Sequence, residues 1–156
     1  MSGPEKDKAP PVAKIESAAD IFARADERKL VMGLPYAGAV TPAEAWALQE
    51  LDAARILDVR TVPEWQFVGH VPEVPLIEWP RDGEESAMRA FLAQVERDFD
   101  KERPLLFLCR SGVRSHNAAE LATHAGFARS YNVLEGFEGN APGKGWRAAG
   151  LPWKKG

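Results

Sequence analysis

A chain of 156 residues, 45% hydrophobic and 28% charged, has the size and composition of one globular domain able to bury its own core. Its net charge of -3 provides no field for nucleic acid or an anionic membrane surface, and no apolar run reaches the length of a membrane span. Its one cysteine, Cys109, excludes an internal disulfide and a zinc site, and the N-terminus lacks the apolar core of a secretory signal, so a cytoplasmic, monomeric protein without metal or cofactor is expected.

Residues 1–14 are rich in Pro and Lys with almost nothing to bury and read as a disordered leader. Residues 15–37 read as a helical extension, and residues 38–156 as the domain proper. In the extension, Ser17 and Asp20 stand at capping-box spacing, and Ala18, Ile21, Phe22 and Ala25 recur with helical period. That helix is expected to dock on the outside of the domain.

After a loop from Gly33 to Gly38, Ala39-Val40 opens the domain. Thr41-Pro42-Ala43-Glu44 then combines an N-cap, a proline at the first helical position and a glutamate closing the capping box. The helix it starts is predicted to reach about Leu51, with Ala45, Leu48 and Leu51 on one side. Arg55 to Arg60 reads as a buried strand that turns charged as it surfaces. Thr61 to Trp65 reads as a turn or short helix, Gly69-His70-Val71-Pro72 as a loop, and Pro75-Leu76-Ile77 as a further strand. Asp82 is placed to cap a helix with the stripe Met88, Phe91, Leu92, Val95 and Phe99. Behind Pro104, Leu105 to Leu108 has the length and bulk of a buried strand and ends on Cys109. The period turns helical again at Ala118, Leu121, Ala122 and Ala125, with Gly126 as the stop. A last strand is expected from Ser130 to Leu134, and a Gly-rich tail bearing Trp146 and Trp153 is expected to pack across the sheet end. Strands alternate with helices and no two-residue hairpin separates them, the order of an α/β domain with a mainly parallel sheet covered on both faces.

Cys109 thus stands where a buried strand hands over to a helix, the corner at which parallel α/β sheets bind ligands. Unpaired amides and the positive end of a helix dipole there favour a thiolate, the reactive form of cysteine. A free cysteine is more commonly a small buried hydrophobe, but Arg110-Ser111-Gly112-Val113-Arg114 behind it is a poor way to fill a core. Cys109 is therefore the candidate nucleophile, and the loop Arg110, Ser111, Gly112, Val113, Arg114 and Ser115 the candidate substrate cradle. Arg114, more than Arg110, reads as an oxyanion-binding guanidinium; an ion pair within the protein is the alternative for both. Asp58, Arg60 and Glu64 read as a supporting ion-pair network that orders the loops, with a substrate role for Arg60 as the second reading. His70 reads as a hydrogen-bonded loop residue. His116 lies off the apolar stripe of its helix, where it could tune the loop, but not as the partner of a Cys–His dyad.

Together these segments resemble the single-domain rhodanese (thiosulfate sulfurtransferase) family over roughly Gly38 to Lys154. The marks are L-D-V-R at 57–60 with Glu64, G-H-V-P at 69–72, C-R-S-G-V-R-S at 109–115, L-E-G-F at 134–137 and G-L-P-W at 150–153, in the family's order. The resemblance implies a rhodanese-like α/β fold, with a central, mainly parallel five-stranded sheet flanked by helices on both faces. It also implies a persulfide on Cys109 during turnover. Its partners would be a small anionic sulfur donor and a thiol or protein acceptor.

Two other enzyme readings share the loop. Cysteine phosphatases and arsenate reductases use C-x5-R, whereas Cys109 to Arg114 is C-x4-R, with Ser115 in the phosphatase slot. A mercaptopyruvate sulfurtransferase would begin its loop with small residues, and Arg110 there points instead to a dianion such as thiosulfate. A non-enzymatic module that binds a partner or relays persulfide is the remaining alternative. Glu138 to Gly145 departs from the family pattern as an extra loop that either covers the site or crosses the surface.

Overall fold

A computed structural model describes residues 16–156; the leader expected over residues 1–14 lies outside them. Nine short elements follow in order: α1 (Ala18–Met32), β1 (Gly38–Val40), α2 (Pro42–Glu50), β2 (Arg55–Asp58), a π-helical turn (Glu64–Val68), α3 (Glu85–Asp98), β3 (Leu105–Leu108), α4 (Val113–His124) and β4 (Ser130–Val133). No helix among the described residues is long and apolar enough to cross a membrane.

Local chemistry sets most of these boundaries. Ser17 caps α1 by accepting from the Asp20 amide at 3.1 Å, and Gly33 ends the helix in the left-handed region, where the absence of a Cβ removes the steric cost. The capping box on α2 forms as its sequence predicts: Thr41 Oγ1 accepts from the Glu44 amide, and Glu44 Oε1 accepts from the Thr41 amide. Asp82 does not cap α3. The helix starts later, after Glu84, and the Asp82 carboxylate accepts only from the Glu84 amide.

The four strands form one parallel sheet in the order β1-β4-β3-β2. This is one strand fewer than expected. Residues 75–79 do lie along the free edge of β2, exchanging Asp58 N–H to Pro75 O, Ile77 N–H to Asp58 O and Trp79 N–H to Val59 O. Only one bridge, Asp58 to Leu76, has ladder geometry. Pro72, Pro75 and Pro80 lack amide donors and hold the segment in an extended but irregular path, so an edge lies here instead of a fifth strand.

Both sheet faces are buried, as parallel sheets require. Leu106 and Leu108 point to one side, into a core with Ile21 and Ala25 of α1, Ala45 and Leu48 of α2, Val40, Val133 and Trp146. Leu105, Phe107 and Cys109 point to the other, against Phe91 and Val95 of α3 and Ala118, Ala119 and Ala122 of α4. The tail does close the end of the sheet. Lys154 pairs antiparallel with His70, and the Trp146 indole, fully buried, donates to Pro152 O at 2.8 Å.

Candidate active site

β3 delivers Cys109 to the carboxyl end of the sheet, facing the α3/α4 side. The chain then turns through Arg110 and Ser111 to Gly112, which caps α4 with φ near 105°, a conformation that favours glycine. That turn folds the loop back over the sulfur: the Gly112 N–H donates to Cys109 Sγ at 3.1 Å. Ser115, in the first turn of α4, sets its Oγ 3.2 Å from the same sulfur. The thiol is 1% exposed, yet it is no ordinary core cysteine, since its polar contacts come from the loop and the helix start.

The loop is held from behind by the turn after β4. Phe137 N–H donates to Cys109 O at 2.8 Å, and Glu138 N–H donates to Arg110 O at 3.0 Å. Gly136 makes this approach possible: with φ near 70°, it lies so close to Arg110 that an added Cβ would sit 2.4 Å from the Arg110 carbonyl. The segment from Glu138 to Gly145 therefore begins as a backing strap to the loop. Glu135 continues it by accepting from the Gly145 amide at 2.9 Å.

The two loop arginines have separate fates. Arg114 reaches across to Glu64 with two parallel bonds of 2.8 Å, a fork-on-fork pair between α4 and the π-helical turn. Those bonds, with others from Thr61, hold the Glu64 carboxyl down at about 2 despite burial, and the same pairing raises Arg114 above its ordinary value. The Arg114 charge also acts on Cys109 and Asp58. Arg110 stays 63% exposed in its side chain, with only a long contact of 3.5 Å to Glu138.

Asp58 and Arg60 form their own pair. Both are fully buried at the end of β2; the guanidinium binds both carboxylate oxygens, donates to Gly69 O at 2.7 Å and lies 4.4 Å from the centre of the Phe137 ring. The network expected for Asp58, Arg60 and Glu64 is thus two pairs, with Glu64 belonging to Arg114. Arg60 has no exposed atom to offer a substrate. His70 accepts its loop role, its Nδ1 3.1 Å from Trp65 O and its ring stacked on the Trp65 indole. His116 makes no contact with the sulfur; its Nδ1 meets the Tyr36 hydroxyl at 2.6 Å.

Two residues of this site carry no signal in the loop motif. Asn132 in β4 accepts from Ser115 Oγ and donates to Gly112 O, and it also acts on the neighbouring Tyr36 phenol. Burial pushes the Tyr36 phenol up to about 12, so it stays protonated beside them. A polar side chain in the middle of Ser130-Tyr131-Asn132-Val133, an otherwise buried strand, is the sequence feature that could have exposed Asn132, because a buried amide needs partners. A groove of about 450 Å³ runs beside α4 between Trp79, Met88 and Leu121 and does not reach Cys109.

The model of the rhodanese-like domain matches residues 41–141. The uncharacterised protein RC0915 of Rickettsia conorii is 41% identical over 111 residues, spanning 66% of this chain and 85% of its own. The thiosulfate sulfurtransferase GlpE of Actinobacillus pleuropneumoniae is 32% identical over 117 residues, spanning 72% of this chain and 89% of its own. The crystal structure of Rv0390 from M. tuberculosis superimposes with a TM-score of 0.66 at 44% identity, covering 78% of this chain and 99% of that one.

Proposed function

The chain belongs to the rhodanese-like family, and from that premise we propose that it is a sulfurtransferase carrying sulfur as a persulfide on Cys109. The observation that bears most weight is the Cys109 sulfur at the end of β3, taking a 3.1 Å bond from the Gly112 amide at the N-terminus of α4. An amide donor and a helix start stabilise negative charge on sulfur before and after it takes on a second sulfur atom.

With thiosulfate as donor, the Cys109 thiol gives its proton to solvent, and the sulfur attacks the outer sulfur of the donor. One S–S bond forms, the S–S bond of thiosulfate breaks, and its electron pair leaves with sulfite. Sulfite is a stable anion and needs no protonating acid, which suits a loop with no free carboxyl. Cyanide or a thiolate then attacks the outer sulfur of the persulfide and returns the Cys109 thiolate. Arg110, the exposed guanidinium, is the one suited to meet the incoming dianion; Arg114 contributes its field from within the Glu64 pair. Because the thiol is almost fully covered, the donor reaches it as residues 110–112 yield. The C-x4-R spacing, with its arginine already paired, weighs against phosphoryl transfer.

The test is intact mass after incubation with thiosulfate. The protein is expected to gain one sulfur atom that a thiol reductant removes, the Cys109→Ser variant is expected to gain none, and thiocyanate formation from thiosulfate and cyanide is expected to disappear with it. A wild-type protein that keeps its own mass while hydrolysing an aryl phosphate would overturn the reading.

A further inference from the structure

The hydrogens around Cys109 can be assigned by elimination. Gly112 O only accepts, so the Asn132 atom facing it at 3.2 Å is the NH2 group, and Asn132 Oδ1 faces Ser115. That oxygen also only accepts. The single Ser115 hydroxyl hydrogen therefore goes to Asn132, and Ser115 Oγ presents lone pairs alone to the sulfur 3.2 Å away. A neutral thiol fits this arrangement, because its S–H can donate to Ser115 Oγ. An anionic sulfur does not, since lone pair would face lone pair.

We propose that Asn132 is a positioning residue that keeps the Ser115 hydroxyl turned away from Cys109, so that the sulfur becomes anionic only as this hydroxyl swings across to it. The proposal rests on the reading of Cys109 as the nucleophile. When the hydroxyl swings, Asn132 Oδ1 loses its donor in a site that is 5% exposed, and a buried acceptor without a partner is costly. Tyr36 is the donor at hand. Its hydroxyl, bound to His116 Nδ1 at 2.6 Å and neighbouring Asn132, turns to Oδ1 and accepts in exchange from His116 in its other tautomer. The thiol proton goes to solvent, the Ser115 and Tyr36 hydroxyls keep their own, and the half-buried His116 ring loses its Nε2 proton to solvent and takes one up on Nδ1. Resting thiol and reactive anion are thus two settings of one chain of side chains, Cys109, Ser115, Asn132, Tyr36 and His116, contributed by α4, β4, the residue that follows β3 and the segment between α1 and β1.

Other charges bear on the sulfur from each side. Arg114 of α4 faces it, clamped by Glu64 from the π-helical turn; Asp58 of β2 lies within range of Arg114 and is neutralised by Arg60; the exposed Arg110 side chain meets Glu138 on the outer side of the loop; Glu120 of α4 acts on Tyr36. None of them is touched by the substitutions that test the proposal.

Because the chain has one cysteine, the ultraviolet absorbance of the thiolate, with the Cys109→Ser protein subtracted, titrates this sulfur alone. Asn132→Leu frees the Ser115 hydroxyl for the sulfur and is expected to lower the titration midpoint by about one pH unit, the worth of one hydrogen bond. In a Ser115→Ala background the same substitution is expected to produce no displacement. Tyr36→Phe removes the replacement donor and is expected to move the midpoint upward. The proposal is overturned if Asn132→Leu leaves the midpoint in place, or displaces it equally with and without Ser115. Should Asn132→Leu fail to fold, Tyr36→Phe decides alone: an unmoved or lowered midpoint overturns it. The titration needs no sulfur transfer, so a wild-type protein that takes up no sulfur from thiosulfate removes the sulfurtransferase reading and leaves this one standing.

Discussion

Asp58 and Arg60 hold opposite charges where water does not reach, and their geometry leaves Arg60 Nη1 without a hydrogen-bond partner. A buried pair of this kind adds little net stability, since the Coulomb attraction is offset by the hydration both groups give up, but removing one member strands the other. Asp58→Ala is therefore expected to lower unfolding free energy by about 3–5 kcal/mol, measured by urea denaturation, whereas replacing the pair together with Leu and Met is expected to recover most of that loss. An equal loss in both variants would mean that the pair itself stabilises the fold. Glu64 adds a pH dependence of known sign. Its carboxyl is held at about 2 in the fold against an ordinary 4.5, chiefly by Arg114, so the stability it contributes is complete above the ordinary value and is lost as pH falls through the folded one. Between those two values the urea midpoint is expected to fall less steeply in Glu64→Gln than in the wild type. Parallel slopes would show that the Glu64–Arg114 fork contributes nothing in solution.

At the scale of elements, the loop that carries Cys109 is shaped by a turn more than twenty residues further along the chain. Gly136 sits with φ near 70° and its Cα against the Arg110 carbonyl, leaving no room for a methyl group. Gly136→Ala is expected to cost about 1–3 kcal/mol in backbone strain and to push residues 110–112 away from the strap, with sulfur uptake on Cys109 falling further than stability does. Mass labelling and urea denaturation on the same preparation separate the two effects; a loss of stability with labelling intact would show that the strap does not shape the loop. The strand, the loop and the α4 helix were legible because each depends on neighbours in sequence: an apolar run behind Pro104, a glycine at the turn, alanines at helical spacing. The α2 capping box was legible for the same reason. The fifth strand is absent from the sheet, because an apolar Leu76-Ile77 step has a strand's pattern while its flanking prolines decide how many ladder bonds it can make. The partners of Arg114 and Ser115 lie 50 and 17 residues away, at Glu64 and Asn132, and no local period encodes pairings that exist only once the sheet has assembled.

On the scale of the whole molecule, the rhodanese-like match begins at residue 41, yet the sheet does not. β1 is an edge strand that pairs with β4 on its inner side, and α1 covers one face of it. Ile21 and Ala25 are fully buried in the same core as Val40, Leu106 and Val133, so the helix read as an external extension supplies core side chains. The contact is tight enough that a Cβ on Gly38 would lie 2.4 Å from the Ala25 carbonyl. Polar groups lock it further: Arg28 donates to Ala39 O at 2.8 Å, and Arg28 and Arg24 both bind Glu44, the capping-box carboxylate of α2. Removal of residues 1–33 leaves Tyr36 and β1 in the chain but uncovers this face. Burial of one large aliphatic side chain is worth about 1.5–3 kcal/mol, so loss of Ile21 together with the Arg28 bonds is expected to exceed about 3 kcal/mol by urea denaturation. Gly38→Val, which keeps every residue of α1 but forces the helix off the strand, is expected to show a loss of the same order. If the truncated chain unfolds at the wild-type urea concentration while Gly38→Val does not, the helix is dispensable and the strain lies in β1 itself. If both are destabilised, α1 is part of the unit that keeps β1 on the sheet, and the folding unit of this protein extends beyond the segment matched to its family.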